Sequence, residues 1–377
     1  MPLSAERQRL ILATVRQYGS VRISDLVERL EVTAVTVRRD VKALADSGLV
    51  TRVHGGITLP QRSESNDQPG NSSADSTRTL AGMVTPSVEY YWPAVIKGAQ
   101  ATMASSNGRL VLRSSSYDST EDRRQVAKLL EHGVQVMLAA PTTTGHEGTE
   151  LLRWLGSLRV PVVLLERLPP PELPTLALDA VTSAHNVGAG LAMRHLITLG
   201  HRKLGILTSR SSPTSRMLRR GWKEAIDSLG VPETDDLEVE VPTYGSAGWG
   251  DAYDEVLRRC SREGITGLLV HSDREAVGVV ERARDLGIDV PGELAVLAYD
   301  DEIAAAADPP LTAIRPPKHR VGALAAELAL TRTVENAERP VHRVQLWPTL
   351  HVRETCGAAE NTEAGGRTHR LSPPRAG

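Results

Sequence analysis

Between residues 80 and 300 the chain alternates short apolar runs with longer amphipathic stretches, and this alternation restricts the fold more than any other feature. Eight runs read as strands: 80–85, 109–115, 134–140, 161–167, 175–181, 203–209, 266–272 and 294–300. Stretches of helical period separate most of them, near 91–106, 119–132, 147–158, 184–199, 215–229, 249–263 and 273–286. Short apolar strands joined by helices imply parallel sheets covered on both faces. Eight of them are more than one ordinary doubly wound sheet needs. Two α/β lobes with a cleft between them account for the number better, and ligands of such sheets bind beyond the carboxyl ends of the strands.

The first 60 residues follow a different pattern. Ser4 to Tyr18 reads as a helix with Ile11, Val15 and Tyr18 inward and Gly19 as its stop. A second helix near Ser24 to Leu30 presents Leu26, Val27 and Leu30. After a break at Glu31-Val32, Thr33 serves as N-cap of a third helix that ends at Gly48. Val37, Val41 and Leu44 fall on one face of it, while Val35, Arg39 and Lys42 lie opposite, with Thr36 and Arg38 on the flanks. That outer face has little to bury and carries donors suited to phosphates and guanine edges. Two helices separated by a turn of three to four residues form a helix-turn-helix, and residues 49–53 and 57–59, joined at His54-Gly55-Gly56, form a wing. Double-stranded DNA is the expected partner.

Residues 32–56, VTAVTVRRDVKALADSGLVTRVHGG, closely resemble the DeoR-type winged helix-turn-helix. The resemblance rests on the paired arginines, Asp40, the Gly48 break and the Arg-Val-His-Gly-Gly wing. It implies operator binding, with Thr33, Thr36, Arg38 and Arg39 in the major groove and Arg52 and His54 near the backbone. The alternative, that Arg38 and Arg39 merely solvate a helix face, leaves the rest of the pattern unexplained.

Charge divides the chain in the same place. Residues 1–60 hold nine basic and six acidic side chains, net +3, against −5 for the remainder of a chain whose total is −2. A basic head on an acidic body suits a DNA-binding module joined to a part that does not touch DNA. Residues 61–77 are polar, contain Pro69-Gly70 and lack apolar periodicity, so they read as a flexible tether spanning roughly 20–25 Å. Residues 356–377 read as a disordered tail. Cys260 and Cys356 suggest buried or incidental thiols in a reducing compartment. No run of 18 apolar residues and no leader with a cleavage site is present, so a cytoplasmic location and no membrane partner are expected.

The body carries a second resemblance. HLITLGHRKLGILTS (195–209), SRMLRRGWKEAIDSLG (215–230), RARDLGIDVPGELAVLAYDDE (282–302), PPLTAIRPP (309–317) and LWPTLHVRET (346–355) resemble the LacI/GalR effector domain. The match spreads over residues 78–355 and implies a two-lobed, periplasmic-binding-protein-like (type I) fold joined by three crossovers. It further implies a homodimer that binds a sugar or related metabolite in the cleft. Matching positions nominate Tyr91, Trp92, Glu166, Asp273 and Asp300 for the pocket, with Arg216 as the cationic donor. An aromatic face stacks on a pyranose, and carboxylates at strand ends accept from vicinal hydroxyls. The pattern departs where Leu218 stands in place of the family arginine, Ser272 in place of an amide and Pro316 in place of a glutamine. Each nominee also has a local reading: Asp273 as a helix N-cap, Tyr91 as core, Glu166 in a surface ion pair. Tyr244 and Trp249 lie near the family's cleft aromatics, one residue out of step.

Other chemical motifs are weak. GAGLAM (188–193) lacks the third glycine of a dinucleotide loop, there is no Walker loop, and His146-Glu147 has no second histidine at metal-site spacing. No cofactor and no catalytic constellation is expected. The whole reads as a DNA-binding regulator, of repressor type, controlled by a sugar-like effector. The competing class is a sugar-binding protein or enzyme on the same scaffold, in which the head would have no role.

Overall fold

The computed structural model describes residues 78–358 apart from 211, 230–236 and 336–338. Of the first 58 it describes 10–11, 14–15, 20–22, 25–27, 32, 36–37, 40–41, 44, 51–53 and 56–58. Two compact units divide the chain, Met1–Ser76 and Thr77–Gly377.

In the first unit, helical residues at 10–11, 14–15, 25–27, 36–37, 40–41 and 44 enclose a small core of Ile11, Val15, Leu26, Val32, Val37, Val41 and Leu44. Val37, Val41 and Leu44 are at most 3% exposed, as their spacing requires of an inward stripe. Thr36 beside them is half-buried. Strands β2 (Thr51–Val53) and β3 (Gly56–Thr58) pair antiparallel with Arg52 opposite Ile57, which is the expected wing. A third strand, β1 (Ser20–Arg22), pairs with the other edge of β3. Three residues are too short to show a period, so β1 was not legible in advance. Thr33, Val35, Arg38, Arg39, Lys42, His54 and the tether 61–77 lie outside the described residues, and Arg52 is placed only by its backbone.

The second unit contains two six-stranded sheets. The first comprises β4 (Leu80–Thr85), β5 (Arg109–Ser114), β6 (Val136–Ala139), β7 (Val162–Leu165), β8 (Asp179–Ser183) and β14 (Arg343–Leu346). Its order is β14-β8-β7-β6-β4-β5, parallel throughout. The second comprises β9 (Leu204–Ser209), β10 (Leu237–Val241), β11 (Gly267–His271), β12 (Ala295–Tyr299), β13 (Thr312–Arg315) and β15 (Thr349–His351). Its order is β10-β9-β11-β12-β13-β15, antiparallel only at β15. The helices of this unit are α1 (Trp92–Ser105), α2 (Ser119–Glu131), α3 (Gly145–Gly156) and α4 (His185–Thr198), followed by α5 (Ser215–Leu229), α6 (Trp249–Glu263), α7 (Asp273–Asp285) and α8 (Lys318–Val334). Central strands such as β6, β7 and β12 are buried at every residue, because each sheet carries a separate apolar cluster on either face.

The chain passes between the lobes three times: from β8 into α4, from β13 into α8, and from β14 to β15. The second passage returns α8 to the first lobe, where it lies directly on α1. At that crossing a Cβ on Gly98 would come within 1.9 Å of the His319 carbonyl oxygen, and one on Gly322 within 1.8 Å of the Val95 carbonyl. Only glycine allows these backbones to approach so closely.

The eight anticipated strands correspond to β4–β9, β11 and β12. Of those not anticipated, β10 (LEVEV), β14 (RVQL) and the three-residue β15 are sheet edges, the first two alternating or exposing their side chains, and the four-residue β13 lies between β12 and β15. The tail expected from residue 356 does not include that residue. Cys356 is fully buried in the second lobe's core, where a free thiol packs as a small apolar group. Its neighbour Thr355 donates to the Val296 carbonyl at 2.6 Å. Residues 359–377 lie outside the described residues. Among the described residues no helix is long and apolar enough to cross a membrane.

Candidate ligand site between the lobes

The carboxyl ends of β7, β8, β11 and β12 and the segment after β4 bring a polar cluster together inside an otherwise apolar unit. Glu166 follows β7 and is 8% exposed. Its carboxylate receives four donors: the Tyr91 hydroxyl at 2.6 Å, Ser183 Oγ at 2.8 Å, Ser183 N at 2.8 Å and His185 Nε2 at 3.3 Å. Four donors occupy the lone-pair sites that a carboxylate has. Burial pushes this carboxyl up, but the hydrogen bond and charge of His185, the Tyr91 hydroxyl and the Ser183 N–H outweigh it and bring it down to about 2. His185 continues the chain into the second lobe, its Nδ1 lying 2.9 Å from the Tyr299 hydroxyl.

On the second lobe, Asp273 opens α7 and is fully buried. Its carboxylate accepts the backbone N–H groups of Asp301 at 3.0 Å, Glu302 at 2.5 Å, Ile303 at 2.9 Å and Ala304 at 3.3 Å. It therefore holds the turn that follows Asp300, with one of the four donors on Oδ1 and three on Oδ2. The N-cap of α7 is Ser272, whose N–H and hydroxyl both donate to Glu275.

Asp300 is 4% exposed, its carboxylate has no hydrogen bond among the described residues, and His271 Nε2 lies 3.7 Å from it, beyond hydrogen-bonding distance. Burial raises its carboxyl well above the ordinary range, partly offset by Lys318 and reinforced by Asp273, Glu302 and Glu166. Lys318, at the start of α8 behind Pro316-Pro317, donates to the Asp300 carbonyl and the Glu302 carboxylate, and its ammonium lies 5.3 Å from the centre of the Tyr91 ring. Tyr90 links the lobes directly, its hydroxyl accepting from Asp273 N–H at 3.2 Å while Arg274 stacks on its ring at 4.8 Å.

Backbone strain gathers at the same place. Among the described residues, six other than glycine have positive φ, and four of them, Tyr90 (55°), Glu166 (52°), Asp300 (106°) and Asp301 (55°), belong to this cluster. Such conformations cost free energy and persist where the surrounding structure fixes them, most often at functional sites.

Of the nominated residues, the structure brings Tyr91, Glu166 and Asp300 into one network and places Asp273 behind it. Trp92 does not join them. It is 3% exposed and packs edge-on to Tyr91 within the first lobe's core, because α1 turns it inward next to Val95 and Ile96. Arg216 is exposed in the first turn of α5, with no described contact to the cluster, and Leu218 is core. Tyr244 and Trp249 pack with Tyr253 against the second lobe's core. Sequence reasoning missed Tyr90, Ser183, His185, His271, Tyr299 and Lys318. Only Lys318, directly behind two prolines at a passage between lobes, left a signal that could have been followed.

This arrangement agrees with what the chain resembles. Residues 7–63 match the DeoR-like helix-turn-helix domain, and residues 193–356 match the periplasmic binding protein-like domain. The two matches place a DeoR-like helix-turn-helix ahead of a periplasmic binding protein-like body. It is 23% identical over 338 residues to the arabinose metabolism transcriptional repressor of Geobacillus stearothermophilus, covering 88% of this chain and 89% of that one. It is 26% identical over 333 residues to the transcriptional regulator GalR of Escherichia coli K12, covering 87% and 93%. The lac repressor dimer, solved with operator and the anti-inducer ONPF, shares the fold with a TM-score of 0.63 at 20% identity, covering 75% of this chain and 95% of that one.

Proposed function

We propose that this chain is a DNA-binding transcription regulator of repressor type, acting in the cytoplasm as a homodimer and released from or held on its operator by a neutral sugar-like effector. The observation that carries the reading is the asymmetric cluster between the lobes. Glu166 and Asp273 each take four protein donors, and Asp300 stands among them buried with its acceptors uncommitted. A hydroxyl-rich molecule supplies the missing donors, and Tyr91 offers an aromatic face beside them. That relatives named as an arabinose metabolism transcriptional repressor and a ribose operon repressor align with the chain over 338 and 281 residues supports it. In the head, Thr33, Thr36, Arg38 and Arg39 are assigned to the major groove, Arg52 and His54 to the DNA backbone, and Val35 and Lys42 to the same DNA-binding face.

A mobility shift on the chain's own upstream DNA, repeated with a panel of sugars, tests the whole reading. Operator binding should weaken by orders of magnitude between about 50 and 200 mM salt. Replacing Arg38 and Arg39 together by Ala should remove specific binding, and unchanged affinity would refute the head's role. Calorimetric titration of Asp300→Ala against the sugar that binds wild type should show the response lost. A chain that responds only to phosphorylated ligands would refute the chemistry assigned to the cleft.

A further inference from the structure

We infer that His271 reads the effector jointly with Asp300, the two side chains taking adjacent hydroxyls of one neutral polyhydroxylated molecule. The inference rests on the reading of the body as a sugar sensor. His271 ends β11 one strand away from Asp300, at the carboxyl edge of the second lobe's sheet, where Tyr299 is its register partner. It is 4% exposed, and its Nδ1 has no hydrogen-bond partner among the described residues. Its Nε2 lies 3.7 Å from Asp300 Oδ2, so neither ring nitrogen forms a hydrogen bond of ordinary length.

Buried polar groups in native proteins are hydrogen-bonded, and the unpartnered His271 Nδ1, next to an Asp300 carboxylate with no hydrogen bond among the described residues, marks a place shaped for something else. The charged groups and the Tyr299 hydroxyl around them are already committed, whereas the buried hydroxyl of Thr208, the register partner of His271 on β9, also lacks a partner among the described residues. Glu166 and Asp273 each accept four protein donors, Lys318 is held by the Asp300 carbonyl and Glu302, and the Tyr299 hydroxyl is paired with His185.

Charge decides the class of ligand. The groups facing the pair are Glu166, Asp273, Glu275 and Glu302, with Lys318 already opposite Glu302 and His185 beside Glu166. An anionic sugar would meet a surplus of carboxylates, so phosphosugars and uronic acids are excluded in favour of neutral ones. Burial pushes the imidazole down to about 4, which leaves it neutral near pH 7 with one N–H and one lone pair. A hydroxyl both donates and accepts, and an imidazole beside a carboxyl offers the complementary groups.

The test uses the full chain and calorimetric titration with ribose, arabinose, galactose and cellobiose, then with the monodeoxy analogues of whichever sugar binds. His271→Ala should weaken the parent sugar by about tenfold or more, the usual effect of leaving a polar group unpaired. With the analogue lacking the hydroxyl that His271 contacts, the same substitution should change affinity less than about twofold. His271→Gln, which keeps a donor and an acceptor, should recover part of the loss, and it carries the same comparison if the alanine variant does not fold. Unchanged affinity in a folded variant overturns the inference alone, as does an equal loss for the parent and every deoxy analogue. A wild-type chain that binds none of these sugars overturns the sensor reading and this inference with it.

Discussion

The two lobes build their sides of the cleft from similar residues and leave them in opposite states. On the first lobe, Glu166 has four donors, a depressed pKa and a tyrosine, a serine and a histidine fixed around it. On the second lobe, Asp300 and His271 lie 3.7 Å apart with neither hydrogen-bonded to the other, and burial disfavours the charged form of both. A completed network stiffens what it joins, while an incomplete one raises the free energy of the empty state. The first lobe's side therefore serves as a fixed wall and the second as the part whose energy a ligand changes. Asp273 shows that saturation is a matter of local geometry, because it lies on the second lobe and accepts as many donors as Glu166.

The largest expected effect comes from removing a saturated group. Asp273→Ala leaves four backbone N–H groups of residues 301–304 without their acceptor and should destabilise the body by about 3 kcal/mol or more, measured by denaturant unfolding. A loss below about 1 kcal/mol would mean that the turn after Asp300 does not depend on it.

Charge removal at Glu166 and Asp300 should then have opposite signs. Glu166→Gln should destabilise by about 1–3 kcal/mol at neutral pH. The folded protein holds Glu166 at about 2, below its reference of 4.5, so its contribution is present above pH 4.5 and is lost as pH falls toward 2. Asp300 is held above its reference of 3.8, so it favours the native state least at high pH, and that deficit disappears as pH falls below 3.8. Asp300→Asn should accordingly stabilise the empty protein by about 1 kcal/mol at pH 7 while impairing sugar binding, a trade expected at a functional site. Equal signs for the two variants, read from unfolding curves across pH 3 to 8, would break the contrast between the lobes.

The smallest effect belongs to the link between them. Tyr90→Phe removes one partly buried hydrogen bond, 3.2 Å long, from the Tyr90 hydroxyl to the start of α7. About 1 kcal/mol or less is at stake, so sugar affinity should shift by no more than about fivefold. A larger shift would show that Tyr90 contacts the ligand itself.

Much of the fold was legible because it depends on local period. The fully apolar runs at β6, β7 and β12 and the stripe Val37, Val41, Leu44 are one-dimensional patterns, and their burial follows from the geometry of strand and helix. Edge strands such as β10 and β14 escaped because an exposed edge imposes no apolar run. The cluster was less legible. The family resemblance nominated Tyr91, Glu166 and Asp300, which the structure brings near one another, but it could not separate Trp92, one residue along and turned into the core, from Tyr90, one residue back and turned toward the other lobe.

What the sequence determined by itself was the pair of modules and the order of the eight apolar strands β4–β9, β11 and β12, since each rests on local pattern. Whether a given polar group is filled or left open was decided only by tertiary structure. Glu166 is closed by Ser183 and His185 from the next strand and helix, Asp273 by a turn 28 to 31 residues away, and Lys318 is drawn to Glu302 by the passage between lobes. Hydrogen-bond saturation is a sum over partners brought from distant parts of the chain. No local pattern records that sum, and it is what distinguishes Asp300 and His271 from Glu166, Asp273 and Lys318.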